Sequence, residues 1–410
     1  MNDRVKKART PAMAFIILIG IVSLFSDMTH EGAASILGAY LSLAGASAAA
    51  IGFISGLGEL IGYSLRLVTG VIADKTRKYW TLTVIGYVVD CVAIPLLALI
   101  PENGWIWACL LIIIQRTGKA IKKPSKDTIL SFAASQEGAG KSFAIQEALD
   151  QLGAFLGPVI LFVVMALQSN PDTFSAYSMC FAVLGIPAFA TIALLIYSKH
   201  KFPNPEDFEP ESKEKGGRLI MKPSFLIYML GAGLFAMGFV DFTLITMHVS
   251  REALINATYL PLLYAAAMLV DAVAALIFGW MYDKYGIGVL AVSTLISAAF
   301  ALPVFMTDSV PIVVLGVLMW GVGMGAQESI LKAVVTNIIP KNVRSTGFGI
   351  FQTTFGVCWF LGSWAMGALY DVNIAWLVIF SIITQFVAIP LFLLTGVQRK
   401  KELSAEPVNG

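Results

Sequence analysis

Asp27 and Glu31 interrupt the first long apolar stretch of the chain, residues 11–37, together with His30. Four residues apart, the two acids share one face of a helix. An ionised side chain at the centre of a bilayer costs about 3 kcal/mol or more. Such groups therefore persist at depth where they exchange protons, hold a charged solute or pair with one another. The same intrusion recurs at Glu59 and Arg66, Asp90, Arg116 and Lys119, Glu147 and Asp150, Asp241, Asp271, and Glu328 and Lys332. Nine acids in the apolar stretches face only four bases. Burial disfavours the carboxylate anion, so acids without a basic partner are expected to hold or exchange protons. The surplus favours proton coupling, a cationic solute, or both.

Depth sorts the candidates. At 1.5 Å per residue, Asp27 lies about 24 Å along a helix that starts at Pro11, near the middle of a tilted span. Glu59 and Asp90 come out at similar depth. Asp27 and Glu31 are the leading candidates for substrate or proton binding, with Arg116 modulating a carboxylate. Glu147 and Asp150 lie shallower, at the level of Lys119, and are expected to form an ion-pair network with it. For each acid outside the first stretch, an interhelical hydrogen bond or ion pair of purely structural value is an equal alternative. His30 is expected to be a helix-packing polar group, although an imidazole titrates near neutrality. A metal site from Asp27, His30 and Glu31 lacks further histidines and is not expected. Arg116, Lys119 and Lys123 form a basic stripe that would suit an organic anion or phosphate ester. Lys122, Lys123 and Lys126 are expected instead to mark the membrane interface, with their stems snorkelling.

The elements that must position these groups are long apolar helices. The chain of 410 residues is 57% hydrophobic and 13% charged, with mean hydropathy +0.79. A soluble protein carries about 25% charged residues, so a soluble globular enzyme is excluded. No phosphate loop, metal cluster or nucleophile constellation is present, so neither catalysis, a cofactor nor nucleic-acid binding is expected. The four cysteines are scattered singly, without ligand or redox spacing. With about 20 apolar residues needed per span, helices are predicted over 12–38, 47–72, 79–100, 105–131, 141–168, 174–197, 224–249, 257–281, 287–306, 311–335, 344–369 and 373–396. Among Lys and Arg outside the spans, Arg251 alone falls on one side of this map, and all the others fall on the side of the termini. The positive-inside bias then predicts both termini in the cytoplasm and a multi-pass protein of the plasma (inner) membrane. The polar stretch 199–222 reads as a linker between two six-helix bundles, 1–198 and 223–410.

The halves echo each other. Gly70-x-x-x-Asp74-Lys75 recurs as Gly279-x-x-x-Asp283-Lys284, Phe155-Leu156-Gly157 as Phe360-Leu361-Gly362, and Asp27-Met28-Thr29 as Asp241-Phe242-Thr243, at offsets of 209, 205 and 214 residues. Three nearly equal offsets mark an internal repeat. Here the chain resembles the major facilitator superfamily. That superfamily's loop signature between helices 2 and 3 is matched by Gly70, Asp74, Lys75 and Lys78, with Arg77 where glycine is expected; the second copy keeps Gly279, Asp283, Lys284 and Gly286. The resemblance implies an all-α membrane protein of twelve transmembrane helices in two pseudo-repeat bundles. It implies transport by alternating access, and gating roles for Gly70, Asp74, Lys75, Asp283 and Lys284. Read from the residues alone, Asp74 and Asp283 are equally plain helix-end charges. Gly153-x-x-x-Gly157-Pro158 is similar to the superfamily's antiporter signature, though Val159, Ile160, Leu161 and Phe162 replace the small residues that usually follow. Its glycines allow close helix contact and its proline a bend.

The expectation is thus a proton-coupled exporter of a small organic, cationic or amphipathic compound, acting as a monomer in the bilayer. An organic-anion transporter using Arg116 and Lys119 is the alternative, and a non-transporting receptor fits the deep carboxylates poorly.

Overall fold

The computed structural model describes residues 11–137, 139–168, 173–208, 221–339 and 344–405, and among these no strand occurs. Helices α1 (Pro11–Leu43), α2 (Ala48–Thr76), α3 (Tyr79–Leu96), α4 (Trp105–Glu137), α5 (Ala139–Ala166) and the pair α6 (Thr173–Val183) and α7 (Gly185–Lys201) make the first six spans. The next six are α8 (Pro223–Gly238) with α9 (Phe242–Arg251), α10 (Leu260–Tyr285), α11 (Gly288–Ala298) with α12 (Ala301–Phe305), α13 (Val310–Ala326) continuing into α14 (Lys332–Ile338), α15 (Arg344–Val372) and α16 (Ile374–Ala405). Ten of these spans are long and apolar enough to cross a membrane on their own. The other two are α4, which carries the basic stripe, and α15, rich in glycine and polar residues. The outer surface is apolar, with Phe189 74% and Leu276 77% exposed. That surface suits lipid and would be unfavourable in water. The centre of the 199–222 stretch lies outside the described residues, and α7 runs into its start.

The repeat has a physical cause. A Cβ on Gly157 would collide with the Met28 carbonyl and one on Gly153 with that of Leu24, so α5 lies backbone-to-backbone on α1. In the second half, a Cβ on Gly362 would collide with the Met237 carbonyl, bringing α15 equally close to α8. Small residues at such contacts are what lets helices associate in lipid. The signature loops agree as well. Gly286 has φ +73°, and Arg77, which occupies the matching place, adopts φ +53° while its N–H closes α2 onto the Ala73 carbonyl. The position thus takes a positive φ in both copies, which glycine adopts freely.

Two irregularities aim side chains inward. The seventh span breaks between Gly238 and Phe242. Ser381 and Gln385 donate to the freed Gly238 carbonyl at 2.6 and 3.1 Å, and the Trp320 indole donates to the Val240 carbonyl at 2.9 Å. Broken backbone within a membrane needs such partners. Asp241 then caps α9, its carboxylate accepting from the Thr243 N–H at 2.9 Å. In the tenth span a π-helical segment, Gln327–Leu331, carries Glu328, and Tyr228 donates to the Leu331 carbonyl at 2.7 Å.

An even number of spans puts Pro11 and Ala405 at the same face, called here the termini face. The far face is sealed. Gly38 meets the Thr243 carbonyl, while Gly52 and Gly367 meet the Ser363 and Ala48 carbonyls. Arg251 donates to Ser42 Oγ at 2.7 Å and to the Ala46 carbonyl at 2.8 Å, and lies 3.8 Å from Asp371. Asp371 accepts from the first N–H groups of α2, those of Ala48 and Ala49.

Candidate functional site: a charged central cavity

A cavity of about 320 Å³ lies between the two halves. A second, of about 220 Å³, continues it toward the termini face and shares Glu31, Arg66, Lys119, Tyr264, Met324 and Glu328 with it. Of the predicted site residues, Glu31, Glu59, Arg116 and Lys119 line the first, and Asp27, Glu31, Lys119, Glu147 and Asp150 the second. Asp90 lines neither and is fully buried.

The contacts divide these groups by role. Glu59 pairs with Arg116 at 2.7 Å, joining α2 to α4. Glu31 accepts from the Tyr264 hydroxyl at 2.5 Å, a hydrogen bond from α1 to α10 that spans the two halves. Asp27 faces the second cavity partly exposed and makes no ion pair within 4 Å among the described residues. Lys119 likewise has no such partner, so the expected network with Glu147 and Asp150 is not formed. Asp150 accepts instead from Gln146 at 2.6 Å, and Glu147 weakly from Gln151 at 3.4 Å. Asp271 reaches the second cavity with one buried carboxyl oxygen that takes no hydrogen bond.

Asp90 is the centre of a buried knot. It accepts from His30 Nε2 at 2.5 Å and Gln115 Nε2 at 2.7 Å, and pairs with Lys122. Lys122 also donates to Ser26 at 2.8 Å and lies 4.0 Å over the Tyr87 ring; Lys126 donates to Ser23 at 2.9 Å. Both lysines are only 6% exposed, so they are internal ties between α4 and α1, contrary to the interfacial role expected of them. The reason is that Asp90 of α3 and Ser23 and Ser26 of α1 lie across from them and take their ammonium groups. Asp27, His30 and Glu31 do not converge on one point: His30 turns to Asp90 and Glu31 to Tyr264.

The gating candidates sit apart from both cavities. Asp74, Lys75, Asp283 and Lys284 are exposed at the ends of α2 and α10, and Lys284 stacks on the Trp280 and Tyr285 rings at 5.2 Å. Gly70 lies on the last turns of α2, where a Cβ would sit 3.7 Å from Pro124. Cavity residues absent from the sequence-derived site include Arg66, Tyr63, Asp241, Tyr264, Trp320, Glu328 and Trp359. Asp241 was visible as the repeat partner of Asp27. The aromatics were indistinguishable in sequence from lipid-facing ones.

A charged cavity at the middle of a twelve-span bundle, sealed at one face by an ion-paired seam, defines a membrane transport protein. The chain matches the family model of the Major Facilitator Superfamily over residues 113–363 and 235–408, and it belongs to that superfamily. An uncharacterised protein of Mycobacterium tuberculosis is 37% identical over 391 residues, 93% of each chain. An uncharacterised MFS-type transporter of Methanocaldococcus jannaschii is 26% identical over 365 residues, covering 87% of this chain and 89% of that one. Among solved structures, the fold is similar to a bacterial homologue of the human lysosomal transporter Spinster in its inward-facing, unoccupied form. The TM-score is 0.78 at 14% identity, covering 96% of this chain and 99% of that one. It is also similar to the nucleoside transporter NupG, with TM-score 0.71 and 13% identity over 95% of this chain and all of the other.

Proposed function

We propose that the protein is a proton-coupled antiporter exporting a small organic compound, with Asp27 and Glu31 carrying the coupling protons. The carrying observation is the Glu31–Tyr264 hydrogen bond, because it ties the protonatable acid at the cavity to the opposite half. A protonation change at Glu31 then alters a contact that any rocking of the halves must break. The two bodies that rock are residues 1–198 and 223–410, with 199–222 as the tether. In the membrane the termini face is cytoplasmic, so the state described is open inward. Asp74 and Asp283, which pair with nothing within 4 Å among the described residues, join a gate when that face closes. Export in exchange for protons is supported by the Gly153–Gly157–Pro158 contact of α5 on α1, the segment similar to the antiporter signature. The anion reading keeps one support, the Lys119 ammonium without a partner, but Arg116 is already held by Glu59.

Spin labels at Thr76→Cys and Tyr285→Cys, across the termini face, test this without knowledge of the substrate. The expected result is two distance populations whose ratio changes between pH 6 and pH 8, and loses that pH dependence in Glu31→Gln. One pH-independent distance in the parent protein would sink the proposal.

A further inference from the structure

We infer that the compound carried is a zwitterion, with its anionic group held by the first half of the molecule and its ammonium by the second. This rests on the transport reading above. The basic side chains of the two cavities lie on one side. Among the described lining residues every lysine and arginine comes from α2 or α4, beside the first half's own acids Asp27, Glu31, Glu59, Glu147 and Asp150, and the second half contributes the acids Asp241, Asp271 and Glu328. Among those bases Arg116 is held by Glu59 and Lys122 by Asp90, whereas Lys119 and Arg66 pair with no carboxylate within 4 Å among the described residues, where Arg66 Nε is buried without a hydrogen-bond partner. The positive charge open to a ligand is therefore on one wall.

The opposite wall pairs a carboxylate with aromatic faces. Asp241 spends one oxygen on the Thr243 N–H, and the other takes no donor among the described residues. Beside it the Phe242 ring stands 4.5 Å from Tyr264 and 4.9 Å from Trp320. A carboxylate within an aromatic cluster suits an alkylammonium, which gains from ion pairing and from the ring faces together. The Trp359 indole N–H, on the same cavity, is buried without a partner and would be satisfied by an acceptor atom on the ligand. A purely cationic ligand would leave Lys119 and Arg66, and a purely anionic one Asp241, desolvated without a counter-charge as the halves close, which is strongly unfavourable. A zwitterion compensates both walls at once. The cavity lies within the size range of small-molecule sites.

The test compares shape-matched trios on the full-length purified protein by thermal stabilisation. One trio is phenylalanine, phenylalaninamide and 3-phenylpropionate; the other is glycine betaine, choline and 3,3-dimethylbutyrate. The expected outcome is a zwitterion that binds at least tenfold more tightly than both its cationic and its anionic counterpart. Lys119→Gln should erase its advantage over the cation and leave cation binding unchanged. Asp241→Asn, whose side-chain oxygen still caps α9, should erase its advantage over the anion. A cation or anion that binds as well as its zwitterion overturns the inference, and so does stabilisation by no member of either trio. In both cases the ligand-free label distances still report independently on whether the protein alternates between two states.

Discussion

Asp90 shows how an acid at membrane depth can serve architecture. It ties three helices through His30, Gln115 and Lys122 with no exposure to the cavity. Removing one member of a buried ion pair leaves the other charge uncompensated, at a cost of about 3–5 kcal/mol. Asp90→Asn is therefore expected to lower the melting temperature sharply in detergent. Combining it with Lys122→Met should restore much of the loss, because the stranded charge is gone. Additive losses in the double variant would mean that the two groups do not act as a pair. Glu31 is the contrasting case, since its partner Tyr264 belongs to the other half. Its loss is expected to change the balance between states more than folding stability.

At the scale of elements, the spans are shaped by where the backbone departs from a regular helix. The break before α9 is sustained by Ser381, Gln385 and Trp320. A buried carbonyl that loses a donor costs about 1–3 kcal/mol. The double substitution Ser381→Ala with Gln385→Leu should lower stability by about that much and weaken ligand binding through displacement of Asp241. Thermal unfolding with full retention of binding would show that the break is held by other contacts. At the end of α2, Arg77 occupies a left-handed position that disfavours residues with a Cβ by about 1–2 kcal/mol. Arg77→Gly is expected to be neutral to slightly stabilising in the same unfolding assay, despite glycine's larger chain entropy. A loss of more than about 1 kcal/mol would show that the Arg77 side chain has a role the loop requires.

For the whole molecule, the seam at the far face is expected to set which state is populated. Arg251 holds α1 through Ser42 and the turn before α2 through Ala46, and lies beside Asp371 of α15, while Asp371 holds the start of α2. Arg251→Gln removes the ionic part of that lock while keeping a polar side chain. The expected consequence is a shorter label distance between positions 76 and 285 in a larger share of molecules, as the termini face closes and the far face opens. An unchanged distribution would place the balance in the glycine-lined contacts of α2 with α15, where Gly52 and Gly56 meet Ser363 and Phe360.

Much of this architecture was legible without coordinates, for reasons of period and composition. A bilayer needs about 20 apolar residues per crossing and makes charge at depth costly, so spans and intruding charges stand out in the chain itself. Repeated Phe-Leu-Gly segments disclosed the duplication because each half solves the same packing problem with a glycine against a carbonyl, at Gly157 and Gly362, and the Gly-x-x-x-Asp copies mark the matching helix ends. Which charges pair, and with what, was decided only in three dimensions. Lys122 and Lys126 read as interfacial from their place in the sequence, yet they turn inward because Asp90 and two serines of α1 lie across from them. Tyr264, Trp320 and Trp359 are ordinary apolar-span residues until the break at Asp241 and the contact of the two halves assemble them around one cavity. Local sequence determines that a helix forms and crosses the membrane, because that depends on its own apolar length. The partners of a charge depend on helices far away in the chain, 60 residues for His30 and Asp90, and only packing brings those together.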